Sequence, residues 1–180
     1  MLTPEQRNRL LHVARTTIAS MLDGLRREWP ADDFEEELRR PSGVFVTLHK
    51  NGELRGCIGS IHPIAPLYEA VSSSAINAAF RDPRFPPVRK DELREVEIEI
   101  SVMSPIEPVA NPEDILVGRD GLIVSRGGYR GLLLPQVATD YGWDREAFLS
   151  QTCRKAGLPM DAWRSPGVQI EKFSAEVFGE

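Results

Sequence analysis

Residues 54–59, Leu-Arg-Gly-Cys-Ile-Gly, are the part of this sequence with the clearest potential for chemistry. Arg55 and Cys57 are two positions apart, so on an extended strand their side chains point to the same side. A nearby guanidinium favours the thiolate, which is the nucleophilic form of cysteine. Gly56 and Gly59 flank Cys57 and would let a ligand or another backbone approach closely. The pattern predicts a nucleophilic or redox thiol at Cys57, with Arg55, Gly56 and Gly59 in ligand binding.

The alternative is that Cys57 is a packing residue. Cysteine is among the residue types most often buried, and glycines in strands commonly mark bulges. A second layer of helices covering this face would then bury the sulfur. Both interpretations stay open at the level of sequence.

The orientation of Cys57 depends on the β-hairpin that we predict over residues 43–58, around Asn51-Gly52. A two-residue Asn51-Gly52 turn would place Cys57 opposite Val46, on an aliphatic face. A three-residue loop at 50–52 would instead place Cys57 beside Phe45. It would also pair Leu48 with Leu54, Val44 with Ile58, Thr47 with Arg55 and His49 with Glu53. We favour the three-residue loop, because it gathers the aliphatic residues on one face.

A second candidate segment is the dense loop Arg-Asp-Pro-Arg-Phe-Pro-Pro at 81–87. As a rigid platform it would present Arg81 and Arg84 to an anion, with Asp82 as an orienting or acid–base group. As a stiff connector it would use Asp82 to cap a turn and Phe85 to fill the core. Proline-rich connectors are common, so the connector is the simpler interpretation.

Other familiar kinds of site are not predicted. His62 follows Cys57 by five residues, but the chain has no cluster of ligands with zinc spacing. It also has no Walker loop, dinucleotide fingerprint or G-x-S-x-G elbow. We therefore predict no metal and no cofactor.

Composition bounds the remaining classes. The 180 residues are 41% hydrophobic and 27% charged, with a net charge of −5. An acidic balance argues against general nucleic-acid binding, which depends on Lys and Arg. No stretch is apolar for the length of a bilayer crossing, so we expect no membrane insertion. Two cysteines without a CxxC pair, and no secretory signal, indicate the cytoplasm.

The predicted elements mix helices and strands without a regular βαβ rhythm. The fold class is therefore α+β, with a mostly antiparallel sheet packed against helices and arranged as a larger and a smaller lobe. Prolines between 105 and 112 suggest a lobe boundary within a single domain, 1–180: a larger lobe of 1–104 with 165–180, and a smaller lobe of 105–164. Helices are expected at 3–27, 66–80 and 144–156, and strands at 43–58 (the hairpin), 96–102, 122–124, 132–134 and 168–178.

Four motifs in this order resemble the AMMECR family: residues 54–59, residues 80–88 with Asp82 and Arg84, residues 131–137, and residues 153–159. The resemblance covers nearly the whole chain and implies an α+β fold with two lobes. It also implies a family without an established activity, whose prokaryotic members resemble companions of Memo-like and radical-SAM proteins in a grouping called AmmeMemoRadiSam. The hexad at 54–59, often taken as the family's signature, is present here without departure.

Two hypotheses about function follow. In the first, the protein is an enzyme or enzyme subunit that uses Cys57, with Arg55 on an anionic group and Asp82 or Arg84 completing the site. In the second, it is a non-catalytic adaptor of the same system, and Cys57 only packs. We favour the first slightly. A nucleic-acid regulator is the weakest hypothesis because of the acidic balance. Neither the oligomeric state nor the substrate follows from the sequence.

Overall fold

The computed structural model describes residues 1–180 and confirms an α+β fold of five α-helices and seven strands. The pairings of β1 with β2 and β3, and of β5 with β6 and β7, are antiparallel. The chain divides into two compact units, Met1–Met103 with Glu176–Glu180, and Ser104–Ala175. The lobe boundaries expected from the sequence remain a proposal. None of the helices combines the length and hydropathy that a bilayer crossing requires.

The first unit contains three helices and three neighbouring strands in the order β2-β1-β3. Its elements are α1 (Pro4–Leu22), α2 (Glu36–Arg39), β1 (Val44–Lys50), β2 (Glu53–Ser60), α3 (Leu67–Phe80) and β3 (Val96–Met103). Thr3 caps α1 in a capping box with Gln6, as the sequence indicates. The expected extension of α1 to residue 27 is wrong. Gly24 has a left-handed φ of 73° and ends the helix.

Alternation along β1 builds the core of the first unit. Val44, Val46 and Leu48 are buried and belong to one hydrophobic cluster with residues of α1, α3 and β3. The intervening side chains of β1 lie on the other face and are only partly buried. The sheet therefore has one aliphatic face and one mixed face.

The second unit contains β4 (Glu107–Pro108), β5 (Asp120–Arg126), β6 (Tyr129–Leu133), α4 (Pro135–Asp140), α5 (Arg145–Lys155) and most of β7 (Gln169–Gly179). Its strand order is β7-β5-β6, and β4 also pairs with β7. The turn between β5 and β6 lies at Gly127-Gly128. Asp144 caps α5 by accepting a 2.8 Å hydrogen bond from the Ala147 amide. The helix α4 was not expected from the sequence and is only six residues long.

Candidate functional site

The hairpin that carries Cys57 has neither of the two registers considered from sequence alone. Its turn is the two-residue one: Asn51 and Gly52 have φ values of 53° and 77°, and Lys50 pairs with Glu53. The register then shifts between Leu48 and His49, which leaves Arg55 without a partner on β1. The favoured three-residue loop is therefore wrong, because a β-bulge follows the tighter turn.

The bulge returns Cys57 to the mixed face of the sheet. Cys57 lies opposite Thr47, not Phe45 as the favoured register predicted, and Ile58 lies opposite Val46. A two-residue turn without a bulge would place Cys57 on the aliphatic face. The extra residue in the bulge moves Cys57 to the mixed face, so the aliphatic residues still gather on one side. Thr47 Oγ1 donates a hydrogen bond to Cys57 Sγ over 3.3 Å. The half-buried thiol thus lies beside a hydroxyl on the mixed face.

Side chains of the loop after α3 complete the open edge of β2 at Cys57. The Cys57 amide donates to Asp82 Oδ2 over 2.9 Å, and its carbonyl accepts from Arg84 Nη2 over 3.2 Å. Both peptide groups point away from β1, where an edge strand has no strand partner. Asp82 and Arg84 therefore take the place of a neighbouring strand. The structure brings these two candidates to Cys57 through its backbone.

Asp82 is held firmly as a carboxylate. Its side chain is 1% exposed, and besides the Cys57 amide it accepts bonds from the Arg84 amide (3.1 Å), Nε (3.0 Å) and Nη2 (2.7 Å). The Arg84 side chain and the Cys57 amide hold the pKa of Asp82 far below its ordinary value. A group that stays ionised in this way is poorly suited to transferring protons near neutral pH. Its role in this geometry is to position the strand.

Arg55 is engaged elsewhere. Its Nη2 and Nε donate to Glu92 over 2.6 and 3.3 Å, and its Nη1 donates to the Pro86 carbonyl over 2.9 Å. Glu92 also accepts from Lys50 Nζ (3.1 Å) and the Arg89 amide (3.0 Å). The hydrogen bond from Arg55 is the main reason why the pKa of Glu92 is lowered to about 2. Arg55 thus anchors the bulge in β2 to the segment that includes Pro86 and Glu92.

Gly56 and Gly59 allow close approach of other backbone. A Cβ on Gly56 would lie 2.3 Å from the Ala78 carbonyl oxygen of α3. A Cβ on Gly59 would lie 2.1 Å from the Val44 carbonyl oxygen and 2.7 Å from the Phe45 ring. Real Cβ atoms do not tolerate such distances, so both positions require glycine.

The two cysteines belong to different units. Cys153 is buried in the second unit, and this burial raises the pKa of its thiol. Within residues 1–180, no set of three His, Cys, Asp or Glu side chains is arranged to hold a metal ion.

Two residues of this site were missed from the sequence, Thr47 and Glu92. Thr47 lies on the strand facing the hexad, and a correct register would have placed it beside Cys57. Glu92 is 37 positions from Arg55 and lies among other charged residues. No local signal distinguishes it from its neighbours.

The fold and the site define an α+β protein in which a glycine-rich edge strand presents a cysteine beside a carboxylate–arginine pair. The AMMECR1 family model matches residues 11–178, and the chain belongs to that family. A protein of Methanothermobacter thermautotrophicus is 48% identical over 99% of this chain and 96% of its own. Protein TK0174 of Thermococcus kodakarensis is 47% identical, with 95% and 88% covered. The crystal structure of the uncharacterized protein PH0010 from Pyrococcus horikoshii has 47% identity and a TM-score of 0.79, covering 95% of this chain and 89% of that one.

Proposed function

We propose that the protein supplies Cys57 as a reactive thiol, as an enzyme or as a subunit acting with Memo-like and radical-SAM partners in the cytoplasm. The observation that carries the proposal is the setting of the sulfur. It is half-buried on the mixed sheet face and accepts a hydrogen bond from Thr47 over 3.3 Å. A hydroxyl donor in this position can stabilise negative charge that develops on the sulfur during a reaction.

The surroundings of Cys57 support this role. Thr47 lies opposite Glu99 on β3, so a thiol, a hydroxyl and a carboxylate follow one another across three strands. Glu99 makes no ion pair or hydrogen bond through its side chain within the protein, so it is free to interact with a ligand on this face. Asp82 and Arg84 fix the Cys57 backbone, and fixed geometry is what a reacting group needs. Arg55 contributes to stability in this proposal, because Glu92 occupies its guanidinium.

Alkylation by iodoacetamide tests the reactivity. In this reaction the sulfur–carbon bond forms, iodide leaves and the thiol proton passes to solvent. A Cys153→Ser variant leaves Cys57 as the single thiol, and we expect its rate constant at pH 7 to exceed that of free cysteine by about tenfold or more. Thr47→Val keeps the side-chain shape but removes the donor, and it should lower the rate. A rate at or below that of free cysteine would remove the proposal.

The adaptor remains a second candidate because one observation favours it. The charged groups near Cys57 are tied into a rigid edge: Asp82 to Arg84, and Arg55 to Glu92. Titration of purified Memo-like and radical-SAM proteins from the same host separates the two functions. A stable stoichiometric complex that Cys57→Ser leaves unchanged, with no turnover by either form, favours the adaptor. Unchanged binding with a turnover that Cys57→Ser abolishes favours the enzyme.

A further inference from the structure

The outer edge of β2 is closed at Cys57 but open two residues further along. Met103 donates to the Gly43 carbonyl over 2.9 Å, so alternate residues of β1 direct their peptide groups to β3 and the others to β2. Cys57 and Gly59, which pair with Thr47 and Phe45, therefore direct their N–H and C=O groups away from β1. At Cys57 these groups bind Asp82 and Arg84. At Gly59 neither group has a partner in the protein.

A cavity of about 240 Å³ lies along this open edge. Ile58 and Gly59 line its strand side, and Ser73, Ser74 and Asn77 of α3 line its helix side. The floor is aliphatic, whereas the hydroxyls of Ser73 and Ser74 make no hydrogen bond within the protein. The volume suits one aliphatic side chain and the backbone attached to it.

An arginine without a carboxylate partner lies next to one of the residues that line this cavity. Arg81 follows the last residue of α3, is exposed and makes no ion pair. Its Nη1 is 3.5 Å from Oδ1 of Asn77, which lines the cavity. The neighbouring Arg84 is different, because Asp82 neutralises it. A negatively charged group near Asn77 would therefore meet Arg81.

Together these features match a particular ligand chemistry. A free N–H and C=O on a strand edge pair with a peptide group, as in β-strand addition. At Cys57 the backbone groups are already bonded to Asp82 and Arg84, so the pairing cannot continue and an extended chain must end here. We propose that the protein binds the C-terminal end of an extended peptide antiparallel to β2. Its second-last residue pairs with Gly59, the aliphatic side chain of its last residue lies on the Ile58 face in the cavity, and its terminal carboxylate lies at Arg81.

This site is distinct from the thiol site. Ile58 and Cys57 are consecutive on a strand, so their side chains lie on opposite faces. The cavity lies on the Ile58 side, whereas Cys57 Sγ lies beside Thr47. Cys57→Ser should therefore leave peptide binding unchanged, and failure of one proposal leaves the other standing.

Calorimetric titration of the full chain with acetyl-Gly-Ala-Leu tests the proposal, with the C-terminal amide of the same peptide as the comparison. We expect saturable binding of the acid and at least about tenfold weaker binding of the amide. Arg81→Gln should weaken binding of the acid by a similar factor and leave the amide unchanged. Arg26→Gln, which changes another exposed arginine, is the matched control and should alter neither.

A second readout locates the peptide. In ¹⁵N–¹H spectra the Gly59 amide should shift on titration, while amides of the second unit stay in place. Ser73→Leu, at an exposed position of α3, should block the cavity without filling the core. Equal binding of acid and amide, no effect of Arg81→Gln, an unmoved Gly59 amide, or no saturable binding up to about 1 mM would each overturn the proposal.

Discussion

Replacing Glu92 with Gln tests whether Arg55 is an anchor. The Glu92 carboxylate accepts from Arg55 Nη2 (2.6 Å), Lys50 Nζ (3.1 Å) and the Arg89 amide (3.0 Å). Glu92→Gln keeps the shape but removes the charge, and it leaves a guanidinium that is only 12% exposed without its counter-ion. Uncompensated charges in partly buried positions are costly.

The size of the effect follows from the pKa. The pKa of Glu92 falls from 4.5 to about 2 in the folded protein. At 1.36 kcal/mol per pKa unit, the charged form gains at most about 3 kcal/mol. Solvent reaches both partners and screens the interaction, so we expect Glu92→Gln to lower the free energy of unfolding at pH 7 by about 2 kcal/mol.

The same pKa fixes the pH dependence. A carboxylate whose pKa is lower in the folded state stabilises the protein fully above its unfolded pKa, here 4.5. The stabilisation is lost as the pH falls through about 2, the folded value. The difference in stability between the wild type and Glu92→Gln should therefore be constant above about pH 5 and shrink as the pH falls towards 2.

Urea unfolding followed by circular dichroism, at pH 7 and at pH 3.5, measures this difference. Glu146→Gln is the matched control, because its ion pair with Arg164 is exposed, with side chains 70% and 56% accessible. That change should alter the stability by less than about 1 kcal/mol. If Glu92→Gln were within about 0.5 kcal/mol of wild type at pH 7, or if the difference did not shrink in acid, the anchoring role of Arg55 would be refuted.

Three further predictions concern the edge strand and the second unit. Gly56→Ala should cost about 1–3 kcal/mol in thermal unfolding because its Cβ meets the Ala78 carbonyl, whereas Gly128→Ala, with no atom within 4 Å, should cost little; equal melting temperatures would contradict this. Asp82→Asn should speed hydrogen exchange of the Cys57 amide by about tenfold or more, since one carboxylate oxygen is lost. An unchanged rate would show that Asp82 does not protect this amide. Asp144→Ala should cost about 1 kcal/mol in urea unfolding through loss of the α5 cap, and Asp144→Asn should restore most of it.

The fold class and most elements could be predicted from the sequence because their signals are local. The capping box at Thr3 and the apolar spacing after it predict α1, and the alternation from Val96 predicts β3. The hairpin register could not be predicted in the same way. A bulge at Arg55 adds one residue to the count, and nothing in residues 50–59 distinguishes a bulge after a tight turn from a longer loop.

Most residues of the candidate site could be predicted from the sequence, but the contacts between them could not. The two motifs at 54–59 and 81–87 were identified, and the structure joins them through Asp82, Arg84 and the Cys57 backbone. The sequence suggested instead that Arg55 and Cys57 act together on one face. That expectation assumed strict two-residue alternation, and a bulge at Arg55 breaks the alternation.

The hexad therefore contains residues that stabilise the fold and one residue, Cys57, whose sulfur takes no part in those contacts. Arg55 anchors the bulge to Glu92, Gly56 and Gly59 admit neighbouring backbone, and Ile58 packs against the core. None of these contacts uses the Cys57 sulfur. Asp82 and Arg84 also bind only the Cys57 backbone. Serine could keep every one of them, so the stability of the fold gives no reason for a thiol at this position. If Cys57→Ser left partner binding and turnover unchanged, the hexad would be a structural device for the edge strand. A loss confined to chemistry would assign the thiol its own role.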